Sequence, residues 1–491
     1  MIRAHRVDDV RRAEAAAMQR VAEGALMQHA AAALAAVVAG ELTASQRPGR
    51  TGVYGARVVL LVGPGSNGGD ALHAGARLAR RGARVDAVTV ADAVHAGGAA
   101  ALRAAGGSVG AVTGAALDAL LDRADVVVDG ILGIGGRPGL TGAAELAVRA
   151  IPPHVTVVAV DLPSGVGPDD GSVPGAAVRA DVTVTFGTAK AALLLPPAAH
   201  HVGRLHVVDI GLDPAVLGPA AVARLESGEL AAAWPWPDTG DDKYRRGVLG
   251  VVAGGSTYTG AAVLATGAAV RAGAGMVRYV GPQAPTDLVR SHWPQVVPGE
   301  GRVQAWAVGS GVDPDDGQQR PHVEAALASD LPCLVDAGAL EVVQRRDAPT
   351  LLTPHAGELA RLLSRLEGEE CSREQVEAAP LEHARRAAEA LGATVLLKGA
   401  VTLVVPPGGP QHTTVLAQDD GPAWLASAGS GDVLAGLAGT LLAAGLEPTL
   451  AGAVAAAVHG RAGASASHGG PLDAVRLLDE LPAAVRELAR C

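Results

Sequence analysis

The chain has 491 residues and a formal net charge of −10, and its aromatics amount to five Trp, four Tyr and one Phe. That length exceeds a single hydrophobic core and calls for two domains, while the acidic balance excludes a surface built to grip nucleic acid or an anionic membrane, which needs clustered Lys and Arg. Cys333, Cys371 and Cys491 have neither the spacing of a zinc site nor that of a disulfide framework, so a reducing compartment is expected.

The N-terminal residues Met1 to Arg6 run directly into charge without a signal-peptide core. No uninterrupted apolar run is expected to reach the roughly 18 residues that span a bilayer, Ala30 to Gly40 being too short, so the expected location is cytoplasmic. Val7 to Leu42 has apolar residues at helical spacing and predicts one or two amphipathic helices. Arg57 to Val62 predicts a buried strand, Gly63 to Asp70 (GPGSNGGD) a glycine-rich loop, Ala71 to Arg81 a helix and Val85 to Val90 the next strand. This is a β-loop-α-β unit whose crossover lies where open parallel sheets bind nucleotides, although the spacing is not that of a dinucleotide fingerprint.

Two further strands end in carboxylates. Asp125 to Val128 leads into Asp129 (VDGILGIGG), and Val155 to Val160 leads into Asp161 (DLPSG). The carboxyl ends of parallel strands share one edge, so Asn67, Asp129, Asp161 and Ser164 are expected around one crevice. Their oxygens suit a hard cation, and the low charge count leans toward a monovalent one. A single strand-end Asp is equally a helix cap or turn residue; three glycine-flanked loops on one edge favour a site.

In order and spacing, GPGSNGGD, VDGILGIGG, DLPSG and the Thr185 to Lys190 stretch (TFGTAK) resemble the NAD(P)HX epimerase family over residues 1–215. The resemblance implies a Rossmann-like three-layer domain that interconverts the R and S epimers of hydrated NAD(P)H. It implies potassium on Asn67, Asp129 and Ser164. The hydrate would lie on Ser66, Asn67, Gly68, Gly69 and Asp70, on Gly133, Ile134, Gly135, Gly136, Arg137, Pro138 and Gly139, and on Asp161. Asp161 would be the acid/base group near C6. Ser66 and Ala71 stand where the family has Asn and Gly.

Pro214 to Pro237 mixes Pro, Gly and Trp, so residues 221–239 read as a linker between domains 1–220 and 240–491. Strands are then expected at Gly247 to Ala253, Val303 to Val308, Pro332 to Val335, Leu351-Leu352 and Thr394 to Leu397, each ending in a polar or glycine-rich loop. The last such loop is Ser427 to Asp432 (SAGSGD), and the apolar run Val433 to Leu446 after it predicts a buried helix. First-turn N–H groups there favour an anion, and Asp432 would stand beside a hydroxyl about to react. G-x-G alone is equally a glycine turn capping a helix.

GGSTYTGAA, RAGAGMV, VDAGAL, TPHAGE, LLKGAVT and AGSGDVLAG together resemble the ADP-dependent NAD(P)HX dehydratase family, over residues 240–465. The resemblance implies a ribokinase-like α/β domain in which ADP phosphorylates the C6 hydroxyl of the S-hydrate. Elimination of phosphate then regenerates NAD(P)H and leaves AMP. Ala261, Gly311, His355 and Asp432 would touch the hydrate. Lys398, Gly399, Ala400, Val401 and Thr402, with Gly429, Ser430 and Gly431, would hold the nucleotide. Asp432 would be the base, and magnesium would bridge the phosphates. Gly309 to Asp313 reads GSGVD where the family has GPGLG. The whole is expected to be a bifunctional repair enzyme acting on NADHX, NADPHX and ADP as a homo-oligomer. The same residues also suit an ATP-dependent vitamin-precursor kinase with a nucleotide-binding first half, or a non-catalytic nucleotide sensor.

Overall fold

The computed structural model describes residues 1–44, 52–409 and 413–490, so Cys491 lies outside the described residues. Two compact units are formed, Arg3–Val222 and Ala223–Cys491, the second also holding Met1–Ile2.

The first unit carries a sheet in the order Ser108–Gly110, Arg84–Thr89, Arg57–Val62, Val126–Gly130, Thr156–Val160, Val182–Phe186, Arg204–Val208, every pairing parallel. The run RVVLLV can be apolar throughout because both faces of a parallel sheet are covered. Val58, Leu60 and Val62 pack with Leu34 and Leu72 from the helices Ala25–Ala44 and Ser66–Arg80. Val59 and Leu61 face the other way, toward Leu117, Leu121 and Ala147 of Ala115–Asp122 and Gly142–Arg149. The period of two along the strand produces the three layers expected.

Two expectations for this unit need correction. The helix after Arg57–Val62 starts at Ser66, not Ala71, and Gly65 is its N-cap. A Cβ on Gly68 would stand 2.2 Å from Gly63 O, so glycine alone lets this turn lie on the strand end, and Asn67 to Asp70 are helical. Val7 to Leu42 forms two helices as expected, Val7–Met18 and Ala25–Ala44, but against the expectation that no segment would be long and apolar enough to cross a membrane, the second is so by length and composition. Its stripe Ala31, Leu34, Ala35, Val38 and Leu42 is buried in the core of this unit.

In the second unit the sheet runs Val297–Pro298, Met276–Tyr279, Val248–Val252, Ala305–Val308, Cys333–Val335, Thr350–Leu352, Thr394–Leu397, all parallel. Thr402–Val405 and Val415–Gln418 then continue it antiparallel. The helices Thr259–Arg271, Ser430–Ala443, Pro448–Ser467 and Ala474–Leu488 contribute to its main core. Ser430–Ala443 is buried almost throughout because its glycines admit close neighbours: a Cβ on Gly436 would lie 2.1 Å from Ala265 O.

The segment 221–239 is not a plain linker. It includes strand Val222–Arg224 and helix Ser227–Ala233, and Leu225, Leu230 and Trp234 are buried in the core of the second unit. Three large apolar side chains at that spacing outweigh the turn-forming Pro and Gly around them.

Candidate active sites

The carboxyl edge of the first sheet brings Asn67, Asp129 and Ser164 together. Asp129 closes the strand Val126–Gly130 and is fully buried. Its carboxylate accepts from Ser164 Oγ at 2.6 Å, Ser164 N at 2.7 Å and Ile131 N at 3.2 Å. Burial pushes the Asp129 carboxyl up to about 6, against those hydrogen bonds, which favour its charged form. The Leu132 peptide links the other members: its N–H donates to Ser164 Oγ at 2.9 Å, and its carbonyl accepts from Asn67 Nδ2 at 3.0 Å.

One strand further along, Asp161 has φ 66°, a left-handed conformation rare outside glycine. Its N–H donates to Val184 O at 2.7 Å, holding the turn in place. Lys190 Nζ forms an ion pair with Asp161 Oδ1 and donates to Thr185 Oγ1 and Phe186 O, each at 3.1 Å. Only 1% of the lysine is exposed, so this ammonium belongs to the site. His5, in register with Lys190, meets Thr188 Oγ1 through Nδ1 at 2.8 Å and steadies that strand. Glu14 and Asp70 complete the charged group. Burial, with the charges of Asp161 and Glu14, holds the Asp70 carboxyl well above the usual range, and Lys190 only partly offsets this.

The stretch Gly133 to Gly139 lines the same edge as a turn, with Gly136 N donating to Gly133 O at 2.9 Å and Gly139 N to Gly165 O at 2.8 Å. Ser66, Gly135, Arg137 and Pro138 are exposed, Ile134 is partly so, and Gly69 is packed beneath His95 and Met27. Glu14 is the member that sequence reading missed, because it sits in an ordinary amphipathic helix far upstream of the motifs.

In the second unit the ends of four strands and one helix converge. Lys398 follows Thr394–Leu397, and its N–H donates to Pro354 O at 2.8 Å. Its ammonium stands 2.9 Å from Asp336 Oδ1 and 3.5 Å from Glu358 Oε2. Burial alone would lower the Lys398 pKa; Asp336 and Glu358 outweigh it and leave it raised. Asp336 is 2% exposed and also accepts from Ser310 Oγ at 2.8 Å and Thr353 Oγ1 at 2.9 Å. His355 caps Ala356–Glu367: its Nδ1 accepts from Gly357 N at 3.1 Å and Glu358 N at 3.2 Å, and Glu358 Oε2 accepts from His355 N at 2.8 Å.

Gly429, with φ 91°, caps Ser430–Ala443. Lys398 Nζ lies 3.5 Å from where a Cβ on Gly431 would stand, so the ammonium sits at that helix's N-terminus. Asp432 is in the first turn. Burial, with Asp336 adding and Lys398 opposing, pushes its carboxyl up to about 7. Burial also pushes His459 down to about 4, so its neutral ring donates through Nε2 to Ser430 O at 2.9 Å. A cavity of about 520 Å³ opens against this machinery, lined by Lys398, Thr402, Ser430, Gly431, His459 and Asp420 among others.

Of the residues expected to hold a nucleotide, Gly399 and Ala400 also line that cavity, whereas Val401 is buried and Gly429 packs on Leu264 and Ala474. His355 lines the cavity as well, although it was expected on the hydrate. Ala261 and Gly311 meet each other: a Cβ on Gly311, whose φ is 65°, would come 2.4 Å from Ala261 Cβ. Asp336, Glu358 and His459 received no role from sequence. The first two lie inside VDAGAL and TPHAGE, where a carboxylate after a strand was the available signal; His459 lies within an apolar helix and gave none.

An α/β pair of this kind, one unit with a buried oxygen cluster at its sheet edge and one with a lysine-and-glycine cradle at a helix N-terminus, defines a two-site enzyme of small anionic ligands. Residues 249–482 match the family described as NAD(P)H-hydrate dehydratase, and residues 23–192 match the YjeF-related protein N-terminus. Over 454 residues the chain is 45% identical to a bifunctional NAD(P)H-hydrate repair enzyme Nnr of Mycobacterium tuberculosis, covering 90% of this chain and 89% of that protein. The Mycobacterium leprae enzyme of the same name is 44% identical over 479 residues, covering 94% of each. Among solved structures, an ADP/ATP-dependent NAD(P)H-hydrate dehydratase from Bacillus subtilis matches with a TM-score of 0.48 and 26% identity, covering 54% of this chain and 99% of that one. The chain belongs to the family of bifunctional NAD(P)H-hydrate repair enzymes.

Proposed function

We propose that the first unit interconverts R- and S-NAD(P)HX and that the second dehydrates the S epimer at the expense of ADP, releasing AMP and phosphate. The observation that carries the second step is Asp432: a carboxylate poised near neutrality beside Lys398, at a helix N-terminus that faces a nucleotide-sized cavity. Asp432 accepts the proton of the C6 hydroxyl as that oxygen takes the terminal phosphoryl group of ADP. The amides of Gly429 to Gly431 and the Lys398 ammonium carry the charge on the transferring group. The C6–O bond then breaks with its electron pair leaving on phosphate. C5 loses a proton, its bonding pair becomes the C5=C6 double bond, and NAD(P)H is restored.

Asp161 moves the proton at the C6 hydroxyl in the first unit, and Lys190 holds it in place. The oxygens of Asn67, Asp129, Ser164 and Leu132 fit a monovalent cation, because one buried carboxylate already shared with Ser164 brings little charge. Potassium there would hold the three loops together electrostatically. In the second unit magnesium would neutralise the phosphates of ADP; Asp336 and Glu358 are the carboxylates paired with Lys398, and Asp432 lies in the first turn of the helix that the glycine cradle opens. The expected setting is the cytoplasm, and the expected assembly a homo-oligomer.

The test supplies the R,S mixture of NADH hydrate with ADP and magnesium and follows the absorbance of restored NADH. Complete conversion, faster than the hydrate epimerises unaided, is the expected result. A halt near the S fraction would remove the epimerase, and a stable phosphorylated product formed from ATP would favour a kinase.

A further inference from the structure

We propose that Asp70 is a second proton-transfer group of the epimerising site, acting as the acid when Asp161 acts as the base. The inference rests on the epimerase reading above. Asp70 Oδ1 is buried and finds no hydrogen-bond partner among the described residues. A buried polar atom left without a partner is costly, so this oxygen is available to a group that the protein itself does not supply. It lies on the helix Ser66–Arg80, beside the ion pair of Asp161 and Lys190.

The charges facing Asp70 come from three other elements: Glu14 on Val7–Met18, Asp161 after Thr156–Val160, and Lys190 on Ala189–Lys190. Arg11 also acts on Glu14. Lys190 is committed to Asp161. Burial raises the Glu14 and Asp70 carboxyls, and the neighbouring acids add to both. Burial and these neighbouring acids favour the protonated form of Asp70, while Asp161 carries the ion pair with Lys190.

Inversion at C6 needs this pairing of acid and base. Asp70 gives its proton to the C6 hydroxyl, and the C6–O bond breaks with its electrons leaving on water. The N1 lone pair forms the C6=N1 double bond. Water then adds to the other face of C6, the double-bond pair returns to N1, and Asp161 takes the proton from the new hydroxyl. The reverse epimerisation runs with the two acids exchanged, as in any two-base inversion.

Purified R-hydrate is incubated with the full-length chain without ADP, and its conversion to S is followed by chromatography across pH and in ¹⁸O-labelled water. The native chain should place label at C6, and its rate should fall as pH rises through the Asp70 pKa. Asp70→Asn should slow the conversion by about 10²-fold or more and lose that pH limb, and Asp70→Glu should recover part of both. Thermal unfolding and far-UV circular dichroism of the full-length chain, each compared with native, report on folding of the first unit in each variant. A native chain that fails to speed the interconversion overturns the epimerase reading and this inference with it. A native chain that succeeds while Asp70→Asn keeps its rate and pH profile overturns the inference alone, as does the absence of label.

Discussion

The Lys398 ammonium stands 2.9 Å from the Asp336 carboxylate, which is 2% exposed and fixed by Ser310 and Thr353. One cation thus faces two tasks, neutralising a buried acid and meeting whatever anion binds at the Ser430–Ala443 N-terminus. Removing one partner of a buried pair costs about 3–5 kcal/mol. Since a fifth of the Lys398 side chain is open, Lys398→Met should sit at the lower end of that range in denaturant unfolding and should lose ADP binding. Lys398→Met combined with Asp336→Leu should regain most of the stability without regaining ADP binding. A double variant that binds ADP normally would refute the lysine's role at the phosphates.

Asp432→Asn should reduce dehydration of S-hydrate by about 10²–10⁴-fold while ADP binding, read by calorimetry, stays largely intact. The base form of Asp432 is required, so the native rate should rise with pH through about 7. A variant turning over at near-native rate would remove Asp432 as the base.

Ser164→Ala removes the 2.6 Å donor to a fully buried carboxylate. The expected loss is about 1–3 kcal/mol, with a further rise of the Asp129 pKa because a hydrogen bond favouring its charged form is gone. Any potassium dependence of epimerisation should weaken in the same variant, while dehydration of S-hydrate by the other unit should not change. Potassium-independent epimerisation by the native chain would argue against a cation on Asn67, Asp129 and Ser164.

The pKa values of Asp129 and Asp432, about 6 and about 7, both lie above the ordinary carboxylate value. A raised folded-state pKa means that the native protein binds protons the unfolded chain has released. The contribution of each group is therefore full below about pH 4 and is lost as pH rises through 6 and 7. Stability measured by denaturant from pH 5 to 8 should show this decline, and Asp432→Asn should remove the upper part of it. A curve for the variant that matches the native one would show that Asp432 is not so perturbed.

Gly68→Ala tests the helix start. Its Cβ would stand 2.2 Å from Gly63 O, a backbone atom that cannot rotate away. A shift of the whole first turn should cost about 1–3 kcal/mol and displace Asn67 and Asp70 together, so epimerisation should fall while dehydration survives.

The motifs by themselves determined a good deal: the alternation of apolar strands with glycine-rich ends, the edge on which Asn67, Asp129, Asp161 and Ser164 meet, and the glycine turn that starts a buried helix ahead of Val433. These are legible because parallel strands place all their carboxyl ends on one side, and because a glycine-rich turn before an apolar run has few other uses. The sequence could not show that Asn67 to Asp70 are helical, since that depends on Gly68 touching Gly63 from across the turn. Nor could it show that Leu225, Leu230 and Trp234 belong to a core rather than a linker. The charged partners were also hidden: Glu14 reaches the Asp161 and Lys190 pair from 147 residues before Asp161, and Asp336 meets Lys398 from two strands away. Spacing along a chain records which residues share an element; which charges share a buried space is decided only when distant elements pack, and there desolvation sets the protonation states on which both sites depend.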